Sequence, residues 1–298
     1  MDTVYYWYTF SSDTWYSQTG MSPTQLTFSF SDDHTLNIWL TDSSGNDSFD
    51  LSAYSSFGYP VDVTINLTPG SWSTFSGSFK EIGWSGNVYI DPNTIIENAV
   101  GGSGNDLIYG NNWANSLNGW YGNDEILAGA GNDTIFGDSG NDRCLGSDGD
   151  DVIYGGDGTD TIHGGFGDDL IVGGFGNDFL YGGTRSTVAG YNGNDTFYFF
   201  TAEESQSDVI YGFEGPGRVQ ILDRIDVSFI DASATYAGNQ AFRFGSTAEG
   251  GLWVADLAGS TYTVVFMNND QDVQYDAFFY VEDGAVVASQ YHRLDFVL

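Results

Sequence analysis

The sequence is poor in the residues that would let it hold an anion or staple itself together. Seven of its 298 residues are lysine or arginine, against 41 aspartates and glutamates, giving a formal net charge of -34. That balance makes nucleic acid and anionic membrane poor partners, and it makes the compact state repel itself unless cations screen or bind it. The single cysteine, Cys144, excludes an intrachain disulfide. Robustness outside a cell must then come from elsewhere, and metal is the natural substitute. No run of about 18 apolar residues is present to span a bilayer. The opening segment, MDTVYYWYTFSSDTWYSQTG, has neither a basic start nor an apolar core, so no cleavable signal peptide is expected and export would need another signal. At 41% hydrophobic and 16% aromatic the chain is still far from a disordered acidic tail, and it is long enough for one or two packed domains.

What is abundant is glycine, with 41 residues. Inside a regular element each costs about 0.5–1 kcal/mol relative to alanine, so tight turns or bound ions must offset them. They fall in a repeat. Cut every nine residues from Gly101, the chain aligns with itself as GGSGNDLIY, GNNWANSLN, GWYGNDEIL, AGAGNDTIF, GDSGNDRCL, GSDGDDVIY, GGDGTDTIH, GGFGDDLIV and GGFGNDFLY, ending at Tyr181. A tenth copy, GYNGNDTFY at 190–198, follows one residue out of phase, so an interruption of the stack is expected there.

The sixth position reads Asp106, Asn115, Asp124, Asp133, Asp142, Asp151, Asp160, Asp169, Asp178 and Asp195. The eighth reads Ile108, Leu117, Ile126, Ile135, Cys144, Ile153, Ile162, Ile171, Leu180 and Phe197, all apolar, as expected for the inward side chain of a short strand. One apolar contact per nine residues does not hold a hairpin. Stacked coils bury those side chains in one continuous core, and a nonapeptide of this kind builds a parallel β-helix that binds calcium. A flexible glycine-rich linker has no reason to keep that eighth position apolar.

Calcium is a hard cation that takes six to eight oxygens at about 2.3–2.6 Å, so carboxylates and main-chain carbonyls must converge on it. Position six supplies charge, and glycines at positions one, two and four are expected to reach positive φ and bring carbonyls close. The candidate metal-binding residues are Gly101, Gly102, Gly104 and Asp106 in the first repeat, and Gly119, Gly122 and Asp124 in the third. The fourth contributes Gly131 and Asp133, the fifth Gly137, Gly140 and Asp142, and the sixth Gly146, Gly149 and Asp151. Then come Gly155, Gly156, Gly158 and Asp160, followed by Gly164, Gly165, Gly167 and Asp169. Gly173, Gly174, Gly176 and Asp178 form the ninth set, and Asp195 belongs to the detached copy.

These nonapeptides resemble the repeats-in-toxin (RTX) motif, which implies a parallel β-roll with two nonapeptides per coil and calcium between repeats n and n+2. The resemblance implies two rows of aspartates, one with Asp106, Asp124, Asp142, Asp160 and Asp178, the other with Asp133, Asp151 and Asp169. Asn115 and Trp113 spoil the second repeat, so its site is expected to be weak or empty and the ion count about six or seven. The flanks add to the likeness. GNDSFDLSAY (45–54), GNVYI (86–90), IENAVGGSGND (96–106), GNDTFYF (193–199), SDVIYGFEG (207–215) and DRIDVSFIDA (223–232) are similar to the region around the roll in serralysins, secreted zinc metalloproteases.

The expected fold is all-β, a parallel β-roll flanked by β-sandwich-like capping strands. Residues 1–100 form a β-rich N-terminal cap, 101–198 the roll, and 199–298 a β-rich C-terminal domain. The ending RLDFVL, with Asp295 before Phe296, Val297 and Leu298, resembles the C-terminal signal of type I secretion, which implies an extracellular location and the type I secretion machinery as a partner.

No catalytic residues are expected. The serralysin zinc site has the form H-E-x-x-H-x-x-G-x-x-H, whereas His34, His163 and His292 have no histidine or glutamate at the needed spacing, so no zinc site is expected. The chain starts near where the C-terminal region of that family starts, which leaves open that it is the non-catalytic part of a metalloprotease. Cys144 reads as a buried thiol, His163 as a surface strand residue, and the adjacent Glu203 and Glu204 as a solvated pair. The aromatic opening, with Trp7 and Trp15, reads as core of the cap, with a polysaccharide platform as its alternative and hence a polysaccharide as a candidate partner.

Overall fold

Glycine at the fourth position, in every nonapeptide but the second, and an apolar residue at the eighth turn the repeats into tight turns followed by short strands. A computed structural model describes residues 4–6, 25–30, 35–41, 46–51, 62–76, 85–183, 193–201, 207–213, 223–228, 230, 243–244, 251–256, 262–268, 277–282 and 296–297. Among these residues every regular element is a strand, and no helix is long and apolar enough to cross a membrane. Trp7, Trp15, His34, Glu203, Glu204, His292 and Asp295 lie outside the described residues. The chain divides into two compact units, Met1–Gly146 and Ser147–Leu298.

The first unit contains β1 (Val4–Tyr6), β2 (Gln25–Phe30), β3 (Thr35–Thr41), β4 (Ser48–Asp50), β5 (Asp62–Asn66), β6 (Trp72–Ser76) and β7 (Ser85–Ile90). It continues with β8 (Asn98–Val100), β9 (Leu107–Asn111), β10 (Ser116–Asn118), β11 (Glu125–Ala130) and β12 (Thr134–Ser139), and β13 (Arg143–Asp148) stands at its end. One sheet has the order β1-β4-β8-β10-β12 and is parallel throughout. The other runs β2-β3-β7-β6-β5-β9-β11; β5, β9 and β11 are parallel, and β5, β6 and β7 are joined antiparallel.

Successive nonapeptides alternate between the two sheets. Ile126 is in register with Ile108 in one sheet and Ile135 with Leu117 in the other, so two nonapeptides close one coil. The inward residues Ile108, Leu117, Ile126, Ile135 and Cys144 are fully buried, and Ile65, Phe49 and Ala99 carry the same stacks into the N-terminal flank. Burying one such isoleucine contributes about 1.5–3 kcal/mol. Ordering nine residues costs on the order of 10 kcal/mol in backbone entropy, so apolar stacking alone does not hold a coil.

The second unit contains β14 (Val152–Gly158), β15 (Thr161–Phe166), β16 (Leu170–Gly176), β17 (Phe179–Gly183), β18 (Thr196–Tyr198) and β19 (Val209–Tyr211). β20 (Arg224–Asp226), β21 (Arg243–Phe244), β22 (Gly251–Asp256), β23 (Tyr262–Asn268), β24 (Ala277–Glu282) and β25 (Phe296–Val297) complete it. Its parallel sheet runs β14-β16-β18-β20-β25, and its other sheet runs β15-β17-β19-β24-β23-β22-β21, with β22, β23 and β24 antiparallel. The interruption expected after Tyr181 does not break the stack. Ile171 pairs with Phe197 and Phe197 with Ile225, because a longer excursion between strands leaves the register of the apolar residue untouched. His163 stacks on Tyr181 with ring centroids 4.2 Å apart, and Tyr181 stacks on Tyr211.

Candidate metal centre

Position six ends each turn, and the aspartate there folds back over its own turn. Its second role is between coils. In the first unit the amide of Val63 donates to Asp106 Oδ1 at 2.8 Å, that of Asp106 to Asp124 Oδ1 at 2.7 Å, and that of Asp124 to Asp142 Oδ1 at 2.8 Å. On the other row the amide of Asn115 donates to Asp133 Oδ1 at 2.7 Å. In the second unit Asp151 donates to Asp169 at 2.9 Å, Asp169 to Asp195 at 3.1 Å, and Asp195 to Asp223 at 3.1 Å. A parallel row links Asp160 to Asp178 at 2.8 Å and Asp178 to Asp208 at 2.9 Å.

These carboxylates are buried; none is more than 3% exposed. Side chains in register repeat at the strand spacing of about 4.8 Å, where two like charges repel by about 3 kcal/mol at an effective dielectric constant of 20. Burial, the larger effect, pushes Asp124 up from 3.8 to about 8; the amide of Asp106 opposes it, and the charges of Asp106 and Asp142 add to it. Burial likewise takes Asp169 and Asp195 to about 8, Asp106 and Asp178 to about 7, and Asp133 and Asp142 to about 6. The Oδ2 atoms of Asp124, Asp169 and Asp178 are buried and accept no hydrogen bond among the described residues. A charged oxygen in that state is costly unless a cation meets it.

The glycines divide into two roles, which differs from the expectation that positions one, two and four all take positive φ. Positive φ occurs at position four, as in Gly122, Gly131, Gly140, Gly149, Gly158, Gly167 and Gly176, and at position two in Gly129, Gly156, Gly165 and Gly174. Trp120, Asp138 and Ser147 adopt it at position two without being glycine. A Cβ on Gly122 would run into the carbonyl of Gly104 one coil away. Position one keeps an ordinary φ. A Cβ on Gly119, Gly164 or Gly173 would collide with Oδ2 of Asp124, Asp169 or Asp178, whereas the fourth repeat carries a buried methyl at this position in Ala128. The same collision arises for Gly101 against Asp106 and Gly155 against Asp160. Gly102 at position two donates its amide to Asp106 Oδ2 at 2.5 Å.

The turns therefore gather carboxylate oxygens and glycine carbonyls, a hard, all-oxygen donor set suited to calcium and unsuited to zinc. Among the described residues no three histidine, cysteine, aspartate or glutamate side chains converge on one point, so main-chain oxygens must complete any coordination sphere. The rows also include two residues that nonapeptide spacing passes over, Asp208 and Asp223. The signal for both is the D-x-I run without its glycines, in DVI (208–210) and DRI (223–225). Asn115 occupies its row position but carries a carboxamide, and Trp113 replaces the position-four glycine and is 45% exposed.

The sequence profile described as "Peptidase M10 serralysin C terminal" matches residues 1–276. The chain belongs to that family. This serralysin C-terminal chain is 45% identical over 76 residues to a serralysin of Photorhabdus laumondii, a match covering 26% of this chain and 14% of the protease. It is 40% identical over 116 residues to the metalloprotease AprA of Pseudomonas entomophila, covering 39% of this chain and 19% of that protein. The matched segments are thus a small part of these relatives. Among solved structures, the R2 subunit of the AlgE6 mannuronan C5-epimerase from Azotobacter vinelandii aligns with 64% of this chain and 92% of its own, at 20% identity and a TM-score of 0.31.

Proposed function

We propose that this serralysin C-terminal chain is a secreted, non-catalytic β-roll module that binds calcium along two rows of turns and folds as it does so. Residues 1–100 serve as the N-terminal cap, 101–198 as the roll and 199–298 as the C-terminal domain that ends in the export signal. The observation that carries the reading is the stack of buried, in-register aspartates whose Oδ2 atoms at Asp124, Asp169 and Asp178 have no hydrogen-bond donor among the described residues. A divalent cation in the turns supplies the positive charge that those oxygens lack, and the ligands are the position-six carboxylates with carbonyls of the glycine turns. Because the rows exist only in the folded chain, binding free energy becomes folding free energy. Where calcium is scarce the carboxylates hold the chain apart, and outside the cell ions let it close. Asp208 and Asp223 extend the rows into the C-terminal part.

Titration of the chelated protein with calcium, followed by far-ultraviolet circular dichroism and by native mass spectrometry, tests the reading. The expected result is a coil-to-β change with about six or more ions retained per chain. An unchanged spectrum and no more than one bound ion would refute it. A second reading, favoured by the protease relatives, is that the module is the C-terminal part of a longer zinc metalloprotease. An upstream in-frame H-E-x-x-H in the genomic sequence would establish it.

A further inference from the structure

We propose that the coil carrying Asn111 and Asn115 is held by two carboxamides in the role that a cation plays elsewhere in the roll, so that this end of the roll is ordered before calcium binds. The inference rests on the calcium-coupled folding proposed above.

Asn111 and Asn115 occupy positions two and six of the second repeat, the places held by Gly102 and Asp106 one repeat earlier, and each is 4% exposed. Asn115 Oδ1 accepts the amide of Asn111 at 2.9 Å, as Asp106 Oδ2 accepts that of Gly102. Its other branch reverses polarity. Asn115 Nδ2 donates to the carbonyl of Glu97 at 3.1 Å and to Asn111 Oδ1 at 3.2 Å. Asn111 Nδ2 donates to the carbonyl of Ile96 at 2.8 Å and reaches that of Leu67 at 3.4 Å, while Asn111 Oδ1 accepts the amide of Trp113 at 2.9 Å. Two neutral side chains thus serve three main-chain carbonyls and leave both of their own oxygens engaged. Asp124, by contrast, has a buried Oδ2 without a donor among the described residues. A carboxamide brings its own N–H donors and no charge, so burying it carries neither the desolvation penalty of an ion nor like-charge repulsion.

The neighbouring rungs carry carboxylates that main-chain amides meet. Glu97 stands one coil before Asn115, with the amide of Ser116 on its carbonyl, and its Oε2 accepts the amide of Asp47 at 2.8 Å. On the other row the rung before Asp106 is Val63, which contributes an amide, and beside it Asp62 Oδ1 accepts the amide of Asn105 at 2.8 Å. In a stack where each coil contacts only its neighbours, a preformed end spares the next coil the cost of nucleation. The second repeat is then the seam at which calcium-independent structure passes into calcium-dependent structure.

Hydrogen exchange on the full chain, in chelator and in calcium, tests this. In chelator the amides of Asn111, Trp113 and Asn115 should exchange at least about tenfold more slowly than in an unstructured peptide, as expected of a locally ordered unit. Those of Asp151, Asp169 and Asp178 should exchange at the peptide rate until calcium is added. Free exchange of Asn111 and Asn115 in chelator would overturn the proposal while leaving calcium-coupled folding intact. Uniform protection in chelator would remove calcium-coupled folding and this proposal with it. The variant Asn115→Asp should lose chelator-resistant protection at Asn111 and Trp113 and regain it in calcium, which also shows that it folds. Retention of that protection in chelator would count against the proposal.

Discussion

The amide of Asp169 donates to Oδ1 of Asp195 at 3.1 Å, although 26 residues separate the two instead of the 18 between Asp151 and Asp169. The row is therefore defined by which carboxylate stands one coil above, whatever the chain does between coils.

That relationship makes single members of a row replaceable only at a cost set by the ion. Asp124→Asn keeps the hydrogen bond available at Oδ1 but removes the charge and points an N–H toward carbonyls and cation. In calcium we expect one fewer ion in native mass spectrometry and a loss of about 1–3 kcal/mol, the cost of a mismatched buried polar group. In chelator the same variant should be no less ordered than the parent, since it removes one member of the repelling stack of Asp106, Asp124 and Asp142.

Position one and position two should respond oppositely to substitution. Gly119→Ala places a Cβ against Asp124 Oδ2 and the carbonyl of Gly137 and should lower the thermal midpoint in calcium, with φ playing no part. Ser147→Gly relieves a residue held at φ 90° and should raise stability by about 1 kcal/mol, the cost of the left-handed region for an L-residue. Equal effects of the two in thermal denaturation would contradict the division of labour among the glycines.

The metal-free protein should be more ordered in mild acid than in mild alkali. In the folded chain Asp124, Asp169 and Asp195 are raised to about 8, against 3.8 for an ordinary aspartate, so the folded state holds protons that the unfolded state has released. Their contribution is complete below 3.8 and is lost as pH rises through 6 to 8. Circular dichroism in chelator should show less β-structure at pH 8.5 than at pH 5.5. In a calcium titration the trend inverts, because protons compete with the ion for the same oxygens, and the midpoint concentration should fall as pH rises.

Removing Phe296, Val297 and Leu298 tests whether the proposed export role of the ending is separate from folding. β25 pairs with β20 through Phe296 and Val297 only, at the end of the parallel sheet. The truncated chain should lose export from a bacterium with a type I apparatus, and the purified protein should keep its calcium-induced spectrum. Undiminished export would remove the secretory role of the ending.

The local pattern of the chain determined that nine-residue turns and strands would form, that position eight would point inward and that position six would carry the charge. Those choices depend only on glycine's missing Cβ, on alternation along a strand and on carboxylate chemistry. Three features of the site were decided by the tertiary structure. Asp208 and Asp223 show in the sequence only as D-x-I runs without the glycines, and they join the rows because parallel pairing carries register across excursions of any length, which no fixed period detects. Gly119, Gly164 and Gly173 leave room for a carboxylate folded back over the turn, a contact in space that backbone preference does not reveal. Likewise, the asparagines of the second repeat read as a defect in a row of aspartates. Only the placement of Ile96, Glu97 and Leu67 turns the same two residues into a rung whose hydrogen bonds close without an ion.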